Sequence, residues 1–391
     1  MSAATLTSIA DAEKSARDKL PDFAWSYYSR TTADGQTYQD NIKAFRRYRL
    51  IPRNLRDVSV RDTSVTVLGT RLDVPVAIGP TGWQRFAHPG ADLATAMGAA
   101  AMNTGMVLSS WANHSMEEVA EVAPSGIHWF YMLFYKDRRR MKRLLDRAER
   151  AGYTAIFLTV DQPFFPFSID KKPAPGSYPA PLRFPNIFDV EPPHAIGSAE
   201  YRELLRATSK EAATWADVEW VRDNTRLPVV LKGVLSAEDA RMAVERGVNG
   251  ILVSNHGGRE QDGVPATIDV LPDIVRAVGG KAEVYLDGGV RTGTDVLKAL
   301  ALGARCVFIG RPALWGLAHN GAEGVQQVLQ ILTDELSLAM ARTGTCLVCL
   351  SSNQVGRAST CTYIWSVRIV CIVSITTGSC ITGTCTVSFP L

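Results

Sequence analysis

The sequence lacks the features that mark several classes of protein. It has no dense Lys/Arg patch with interleaved aromatic residues, and its net charge is only +3, so a nucleic-acid partner is not expected. It begins without a positively charged leader followed by an apolar run. Residues 6–20 instead resemble an amphipathic helix, so secretion is not indicated. The remaining composition, 46% hydrophobic and 21% charged over 391 residues, is typical of a large soluble enzyme with a substantial core.

The end of the chain lacks acidic residues and lysine altogether. After Gly344 there is no Asp, Glu or Lys, and this segment holds six of the seven cysteines. Residues 369–391 are long enough to cross a bilayer, but their many Ser, Thr and Gly residues argue against a membrane span. Cys346 and Cys349 have no second pair or nearby histidine, so no metal site is expected, while a disulfide stays open. We interpret residues 345–391 as an atypical Cys/Ser/Thr-rich tail, either non-native or disordered.

Apolar, β-branched runs alternate with amphipathic stretches through the rest of the chain, which predicts parallel strands joined by helices. Eight units across roughly 250 residues favour a closed (β/α)₈ TIM barrel over an open sheet. The predicted strands are 74–79, 106–110, 128–134, 155–161, 228–233, 250–255, 283–288 and 306–310, and the helix-like segments include 90–102, 137–151, 236–246, 268–277 and 294–301. We predict an N-terminal helical segment (1–70) packing on the barrel (71–344), with a long loop after strand four.

A histidine and an arginine lie three residues apart where the sixth predicted strand ends. His256 and Arg259 belong to the heptad 254–260, Ser-Asn-His-Gly-Gly-Arg-Glu. A base held beside a fixed cation is suited to removing a proton from a substrate that also carries a carboxylate. Because barrel active sites gather at the carboxyl ends of the strands, the heptad predicts chemistry on a small acid.

Glycine and arginine follow the seventh and eighth strands, where barrels commonly bind phosphate. Glycines let backbone N–H groups approach phosphate oxygens, and Arg291 and Arg311 would add charge and forked hydrogen bonds. Taken alone, these loops predict a bound phosphate rather than a particular reaction, and a glycine turn with surface arginines is the alternative. The two motifs are Asp287-Gly288-Gly289-Val290-Arg291 and Gly310-Arg311.

Together these motifs resemble those of the FMN-dependent 2-hydroxy acid oxidases and dehydrogenases, with glycolate oxidase as the nearest type. The resemblance covers about residues 5–344 and is carried by 254–259, 262–267, 286–291 and 310–312. It implies FMN as the cofactor, with Lys232 beside the flavin edge where negative charge gathers on reduction. Asp287 would hold the ribityl chain. The other cofactor-binding residues that the resemblance implies are Pro80, Thr81, Gly82, Ser109, Tyr131, Thr159, Ser254, Gly288, Gly289, Arg291, Gly310 and Arg311.

The resemblance also assigns the catalytic roles. His256 would take a proton from the substrate, and Asp161 would orient the imidazole and stabilise its charged form. Arg259 would bind the substrate carboxylate, and Tyr27 would donate its hydroxyl to the same group. Tyr27 taken alone is better explained as a packing aromatic.

Three positions depart from the family pattern. Tyr131 and Leu133 stand where Gln and Tyr are usual, so a flavin-contacting amide becomes a phenol and a substrate-binding hydroxyl disappears. Residues two apart share a strand face, so both are expected to face the barrel interior. Ser168 stands where a second carboxylate-binding arginine is expected, a loss of about 1.5–3 kcal/mol of binding unless a loop cation replaces it. The candidates for that replacement are Lys171, Lys172 and Arg183.

The loop of about residues 162–210 is too long for an ordinary barrel connection and predicts a substrate lid, with a disordered insertion as the alternative. Phe164, Phe165 and Phe167 favour a larger or more apolar hydroxy acid than glycolate. The expected reaction is oxidation of an (S)-2-hydroxy acid to a 2-oxo acid, with molecular oxygen reduced to hydrogen peroxide. Two alternatives are a dehydrogenase that uses another acceptor, which the resemblance connects with Gly82, and a flavin-binding protein with impaired turnover.

The resemblance further implies a homotetramer. It suggests a peroxisomal location, although the terminal Phe-Pro-Leu is not a signal of the Ser-Lys-Leu type, and the cytoplasm is the other expectation. A membrane partner is not expected.

Overall fold

The computed structural model describes residues 5–162, 182–188, 209–210, 212–346 and 369–371. Eight parallel strands form a closed barrel in which each strand pairs with the next in sequence and the last pairs with the first. The barrel strands are β4 (Val76–Ile78), β5 (Gly105–Ser109), β6 (Ile127–Met132), β7 (Ile156–Thr159), β8 (Val229–Val234), β9 (Gly250–Val253), β10 (Glu283–Asp287) and β11 (Cys306–Ile309); β1 (Tyr48–Leu50), β2 (Val65–Val67) and β3 (Thr70–Leu72) precede them. Each predicted run overlaps one barrel strand, so the predicted TIM barrel is confirmed.

Helices surround this barrel and precede it. Three of them, Ile9–Lys19, Asp22–Ser29 and Gln36–Ala44, come before the first strand. The helix Arg311–Thr343 is interrupted at Asn320 and Gly321, whose backbone angles are not helical. The remaining helices are Ala91–Ala101, Met116–Val122, Arg138–Arg150, Trp215–Asp223, Ala237–Glu245, Thr267–Val278 and Gly293–Ala301. Within the described ranges, no helix is long and apolar enough to cross a membrane.

Large aromatic side chains fill the barrel interior. Trp129, Phe157, Tyr285 and Phe308 are almost fully buried, and their ring centroids lie 5.4–6.4 Å from one another. Neighbouring strands make room with glycine: a side chain at Gly250 would begin 2.9 Å from the Tyr285 ring. Large and small residues therefore interlock in the core, as close packing requires.

The N-terminal helices are tied to the loops at the carboxyl ends of the strands. Asp262 accepts hydrogen bonds from the backbone N–H groups of Gly35, Gln36 and Thr37 at 2.8–3.2 Å, which satisfies the start of the helix Gln36–Ala44. The amides of Asn41 and Asn255 donate to each other's oxygen at 2.8 Å. These contacts place the helices beside the end of the barrel where active sites form.

Outside the barrel, a short strand from the tail meets the body of the protein. β12 (Ile369–Cys371) pairs antiparallel with β1, with Arg49 opposite Val370. Nearer the barrel, the chain leaves the helix Arg311–Thr343 through Gly344 in the left-handed conformation. The proposed division into segments 1–70, 71–344 and 345–391 stays a prediction.

Candidate active site

An open cleft lies at the carboxyl ends of the barrel strands, between the barrel loops and the N-terminal helices. It contains about 1460 Å³ of empty space, part of it open to solvent. The structure brings together most of the residues that the sequence singles out. The predicted site residues that line the cleft are Tyr27, Pro80, Thr81, Gly82, Ser109, Tyr131, Lys232, His256, Arg259, Asp287, Gly288, Gly289, Arg291, Gly310 and Arg311. The other three do not line it: Asp161 contacts His256, Ser254 accepts from Lys232, and Thr159 donates to Asp161.

His256 and Asp161 form the central pair. The Nδ1 atom of His256 lies 3.2 Å and 3.3 Å from the two carboxylate oxygens of Asp161. With Nδ1 protonated toward this carboxylate, Nε2 is the nitrogen that accepts a proton. His256 also has a positive φ of 55°, a conformation that few non-glycine residues adopt and that concentrates at functional sites.

The Asp161 carboxylate is held in its charged form. Burial alone would raise its pKa, but the charges of Lys232 and His256, with hydrogen bonds, outweigh burial and bring the pKa well below its ordinary value. One of those bonds comes from the Thr159 hydroxyl at 2.7 Å. A carboxylate in this state fixes the imidazole and stabilises its protonated form.

Lys232 is a buried cation at the centre of the cleft. Its ammonium donates to the Ser254 hydroxyl at 3.2 Å and lies 3.5 Å from Nδ1 of His256. The Asp287 carboxylate is 4.0 Å away, and burial is the main cause that raises the pKa of this acid. Within the described residues, Oδ1 of Asp287 is buried without a hydrogen-bond partner. Since buried polar atoms are nearly always paired, this oxygen is suited to accept from a bound ligand.

The loops after β10 and β11 have the geometry of an anion site. Gly288 and Gly289 have φ values of 93° and 85°, and a side chain at Gly289 would collide with the Asn41 carbonyl. One guanidinium nitrogen of Arg291 donates to the Val290 carbonyl at 2.8 Å. Within the described ranges, the other N–H groups of this guanidinium make no hydrogen bond. Glycine backbone and an available guanidinium are what a phosphate group needs.

Arg311 already makes several hydrogen bonds within the protein. Three of its N–H groups donate to the carbonyls of Tyr28, Gly257 and Arg30 at 2.8–3.0 Å, and the guanidinium stacks over the Tyr38 ring. It therefore fastens the N-terminal helices to the barrel, and only two of its five N–H groups stay available to an anion.

Arg259 faces the His256 end of the cleft. Its Nη1 donates to the carbonyls of Tyr27 and Tyr28 at 3.0 Å and 3.1 Å, and its guanidinium stacks over the Tyr27 ring. Among the described residues, Nε and Nη2 have no partner. This edge of the guanidinium can therefore donate two parallel hydrogen bonds to a carboxylate.

The two residues in strand three that depart from the family pattern, Tyr131 and Leu133, line different cavities. Tyr131 lines the cleft, its hydroxyl 3.4 Å from the Gln162 side chain, and burial raises its pKa well above the ordinary value. Leu133 lies one residue beyond the end of β6 and lines a second cavity, which shares Gln162 with the cleft. Strand alternation stops where the strand stops. Ser168, the three phenylalanines, Lys171 and Lys172 lie outside the described residues.

Several cleft residues escape prediction from the sequence. The cleft is also lined by Arg30, Tyr38, Asn41, Trp83, Trp111 and Glu260. Trp83 directly follows the predicted motif 80–82, so its position in the sequence is a signal that could identify it as a cleft residue. Asn41 and Tyr38 are more than 200 residues from the heptad they approach, and no local pattern predicts that contact.

Comparison with known proteins agrees with these motifs. A family model described as FMN-dependent dehydrogenase matches residues 16–355. The chain is similar to 2-hydroxyacid oxidase 1 of Homo sapiens, with 48% identity over 344 residues that cover 87% of this chain and 93% of that protein. It is also similar to glycolate oxidase 3 of Arabidopsis thaliana, with 44% identity over 357 residues that cover 90% and 95%.

Solved structures show the same architecture. A crystal structure of mandelate oxidase is 39% identical to the chain, with a TM-score of 0.78, and the match covers 88% of this chain and 96% of that one. The cleft described above also fits the cofactor named in the family description. The glycines and Arg291 offer a phosphate site, the unpaired Asp287 oxygen offers an acceptor for a hydroxyl, and Lys232 offers a buried positive charge.

Proposed function

Since the chain belongs to the FMN-dependent dehydrogenase family, we propose that it oxidises (S)-2-hydroxy acids to 2-oxo acids and transfers the electrons to molecular oxygen, which yields hydrogen peroxide. FMN is the cofactor and supplies the capacity to accept the two electrons. The observation that carries the proposal is the His256–Asp161 pair, 3.2 Å apart, in the same cleft as the open edge of Arg259.

Each of these residues has a separate role in the proposed reaction. Arg259 holds the substrate carboxylate through Nε and Nη2, with the Tyr27 ring packed against its guanidinium. His256 takes the proton at Nε2, and the charged Asp161 stabilises the imidazolium that results. Lys232 provides the positive charge that favours electron acceptance by the cofactor.

The phosphate end is proposed to be separate from this chemistry. Gly288, Gly289 and Arg291, with Gly310 beside them, would hold the FMN phosphate, and Asp287 would hold the ribityl chain. The proposed flavin contacts also include Pro80, Thr81, Gly82, Ser109, Tyr131, Thr159 and Ser254. Purified protein should therefore be yellow, and Arg291→Met should release the cofactor more readily in equilibrium dialysis than the wild type.

Gly82 does not favour the dehydrogenase alternative. A side chain there would begin 2.8 Å from Cβ of Trp111, so the glycine permits the close approach of this tryptophan rather than leaving empty space. Oxygen therefore stays the proposed acceptor. Parallel measurement of oxygen uptake and peroxide release with a 2-hydroxy acid tests this point. Turnover with an artificial quinone but without peroxide would identify a dehydrogenase instead.

The substrate is proposed to be larger or more apolar than glycolate. The second cavity is lined in part by apolar side chains, including Leu133, Phe134, Trp215 and Val218, and it shares Gln162 with the cleft. A partly apolar cavity that adjoins the cleft at Gln162 supports a substrate with an apolar side chain. Comparing kcat/KM for glycolate, lactate, long-chain 2-hydroxy acids and mandelate decides this, and a clear preference for glycolate would contradict it.

Assembly and location are proposed from the family alone. We expect a homotetramer, which size-exclusion chromatography with light scattering measures directly. We expect a peroxisomal or cytoplasmic protein, which imaging of the tagged chain in cells would distinguish.

A further inference from the structure

The proposed function assigns no role to one of the cations in the cleft. Arg30 directly follows the helix Asp22–Ser29 and lines the cleft together with Tyr27, His256 and Arg259. Its side chain is half-buried, and within the described ranges it makes no hydrogen bond and no ion pair. A guanidinium placed this way is available to an anionic ligand.

The backbone of Arg30 is firmly held. Its carbonyl oxygen accepts hydrogen bonds from Nη2 of Arg311 at 2.8 Å and from Nη1 of Arg259 at 3.4 Å. Two arginines of the barrel loops therefore fix the point from which the Arg30 side chain extends. A binding group on a fixed backbone loses less conformational freedom when it meets its ligand.

The charge of Arg30 lies at the His256 end of the cleft. Burial is the main cause that lowers the pKa of Arg259, and the charge of Arg30 lowers it further. Burial likewise raises the pKa of Glu260, and Arg30 is among the cations that oppose this rise. At the phosphate end, burial is the main cause that lowers the pKa of Arg311. The charges of Arg259 and Arg291 lower it further. Because Arg30, Arg259 and Glu260 also line one cleft with His256, the charge of Arg30 lies near the proposed substrate-binding end.

This end of the cleft has one assigned cation for a carboxylate, namely Arg259. Ser168 replaces the second arginine that the family pattern predicts. Arg183, one candidate to replace it, lies 3.7 Å from the Glu118 carboxylate with half of its side chain exposed, and it does not line the cleft. We propose that Arg30 is a second carboxylate-binding residue, which together with Arg259 holds the carboxylate of the substrate. This inference rests on the proposed function, because the ligand is the carboxylate of a 2-hydroxy acid.

Glu260 offers the main competing explanation for Arg30. Glu260 lines the same cleft, and the charge of Arg30 lowers its pKa. In this explanation, Arg30 serves only to neutralise Glu260. However, no ion pair within 4.0 Å joins the two side chains among the described residues. The experiment therefore includes a Glu260→Gln background.

The test measures binding of a carboxylate and of its neutral amide to the FMN-loaded enzyme. Phenylacetate and phenylacetamide lack the α-hydroxyl, so they report affinity without turnover through the change in flavin absorbance. The variants are Arg30→Gln, Arg30→Lys and the matched control Arg56→Gln, which removes one exposed arginine outside the cleft. KM and the limiting rate of flavin reduction for a 2-hydroxy acid are measured in parallel.

We expect Arg30→Gln to weaken phenylacetate about tenfold, as for loss of one charge-assisted bond, and to leave phenylacetamide unchanged. KM should rise more than the limiting rate falls, Arg30→Lys should be intermediate, and Arg56→Gln should match the wild type. The effect should persist in the Glu260→Gln background. Equal weakening of acid and amide, loss of the effect without Glu260, or no flavin response to phenylacetate in the wild type would each overturn the inference. Failure of every 2-hydroxy acid to reduce the flavin would refute the proposed function, while acid and amide binding would still decide the role of Arg30.

Discussion

At the scale of single residues, the site depends on charges held in place by burial. Asp161 is the clearest case, because Lys232 and His256 keep its pKa well below the ordinary value despite burial. A carboxyl group with a lowered pKa stays ionised until the pH falls through that low value. Asp161 is therefore charged throughout the neutral pH range.

Asp161→Asn should slow anaerobic flavin reduction roughly 100-fold or more, because the imidazolium loses its stabilising charge. The bound FMN should be retained, since Asp161 does not line the cleft. Stopped-flow absorbance measures this rate. Asp18→Asn, an exposed substitution on the first helix, is the matched control, and an equal rate in both variants would remove Asp161 from the mechanism.

Leu133→Tyr should shift substrate preference toward small acids. The larger side chain would fill part of the second cavity and bring a hydroxyl into it. We expect the ratio of kcat/KM for a long-chain acid to that for glycolate to fall about tenfold, in line with the loss of one to two buried methylene contacts. Leu133→Met keeps the apolar volume and should leave the ratio near the wild-type value. An unchanged ratio in Leu133→Tyr would show that substrate does not reach this cavity.

At the scale of elements, alternation along the sequence predicts the barrel and the ends of its strands well. Buried β-branched runs and helix periodicity are local signals, so strands such as β9 and the heptad that follows it can be read directly. Leu133 could not be placed in the same way, because β6 ends at Met132 and the alternation of side chains ends with it.

The helix Trp215–Asp223 provides a pH test at this scale. Its capping carboxylate Asp217 accepts bonds from the Thr214 backbone at 2.9 Å, from Lys210 at 2.6 Å and from Arg138 at 3.2 Å. Burial opposes ionisation, but these bonds lower the pKa of Asp217 from 3.8 to about 2. Stability from a lowered pKa is present above the unfolded value and is lost as the pH falls through the folded value.

Asp217→Asn should therefore lower the free energy of unfolding by about 2 kcal/mol at pH 7. The difference from the wild type should shrink as the pH falls below about 4, where the unfolded carboxyl group begins to bind protons. Urea denaturation at several pH values measures it, with exposed Asp223→Asn as the control in the same helix. A difference that grows toward low pH would contradict the account.

At the scale of the whole molecule, the active site forms where two distant parts of the chain meet. The N-terminal helices contribute Tyr27, Arg30 and Asn41, while the barrel loops contribute His256 and Arg259. The sequence motifs of the barrel predict the site residues that the barrel loops contribute. The other half, apart from Tyr27, depends on contacts across more than 200 residues, which no local pattern specifies.

Asn41→Ala should weaken this junction. The substitution removes both amide bonds to the buried Asn255 and leaves that side chain short of partners. We expect a loss of about 2–3 kcal/mol in the free energy of unfolding, together with weaker FMN retention, because Asn41 packs against Gly288. Asn54→Ala, at an exposed position, is the control for urea denaturation and cofactor dialysis. Normal stability in Asn41→Ala would mean that the helices are held by other contacts.

The central claim is that His256 removes a proton from a 2-hydroxy acid while bound FMN is reduced. Anaerobic mixing of the wild type and His256→Gln with a panel of (S)-2-hydroxy acids, followed by visible absorbance, tests it most directly. The account predicts rapid bleaching of the wild type by at least one class of acid, and bleaching at least 100-fold slower in FMN-loaded His256→Gln. Bound flavin that no acid bleaches in the wild type, or equal rates in the two proteins, would contradict it.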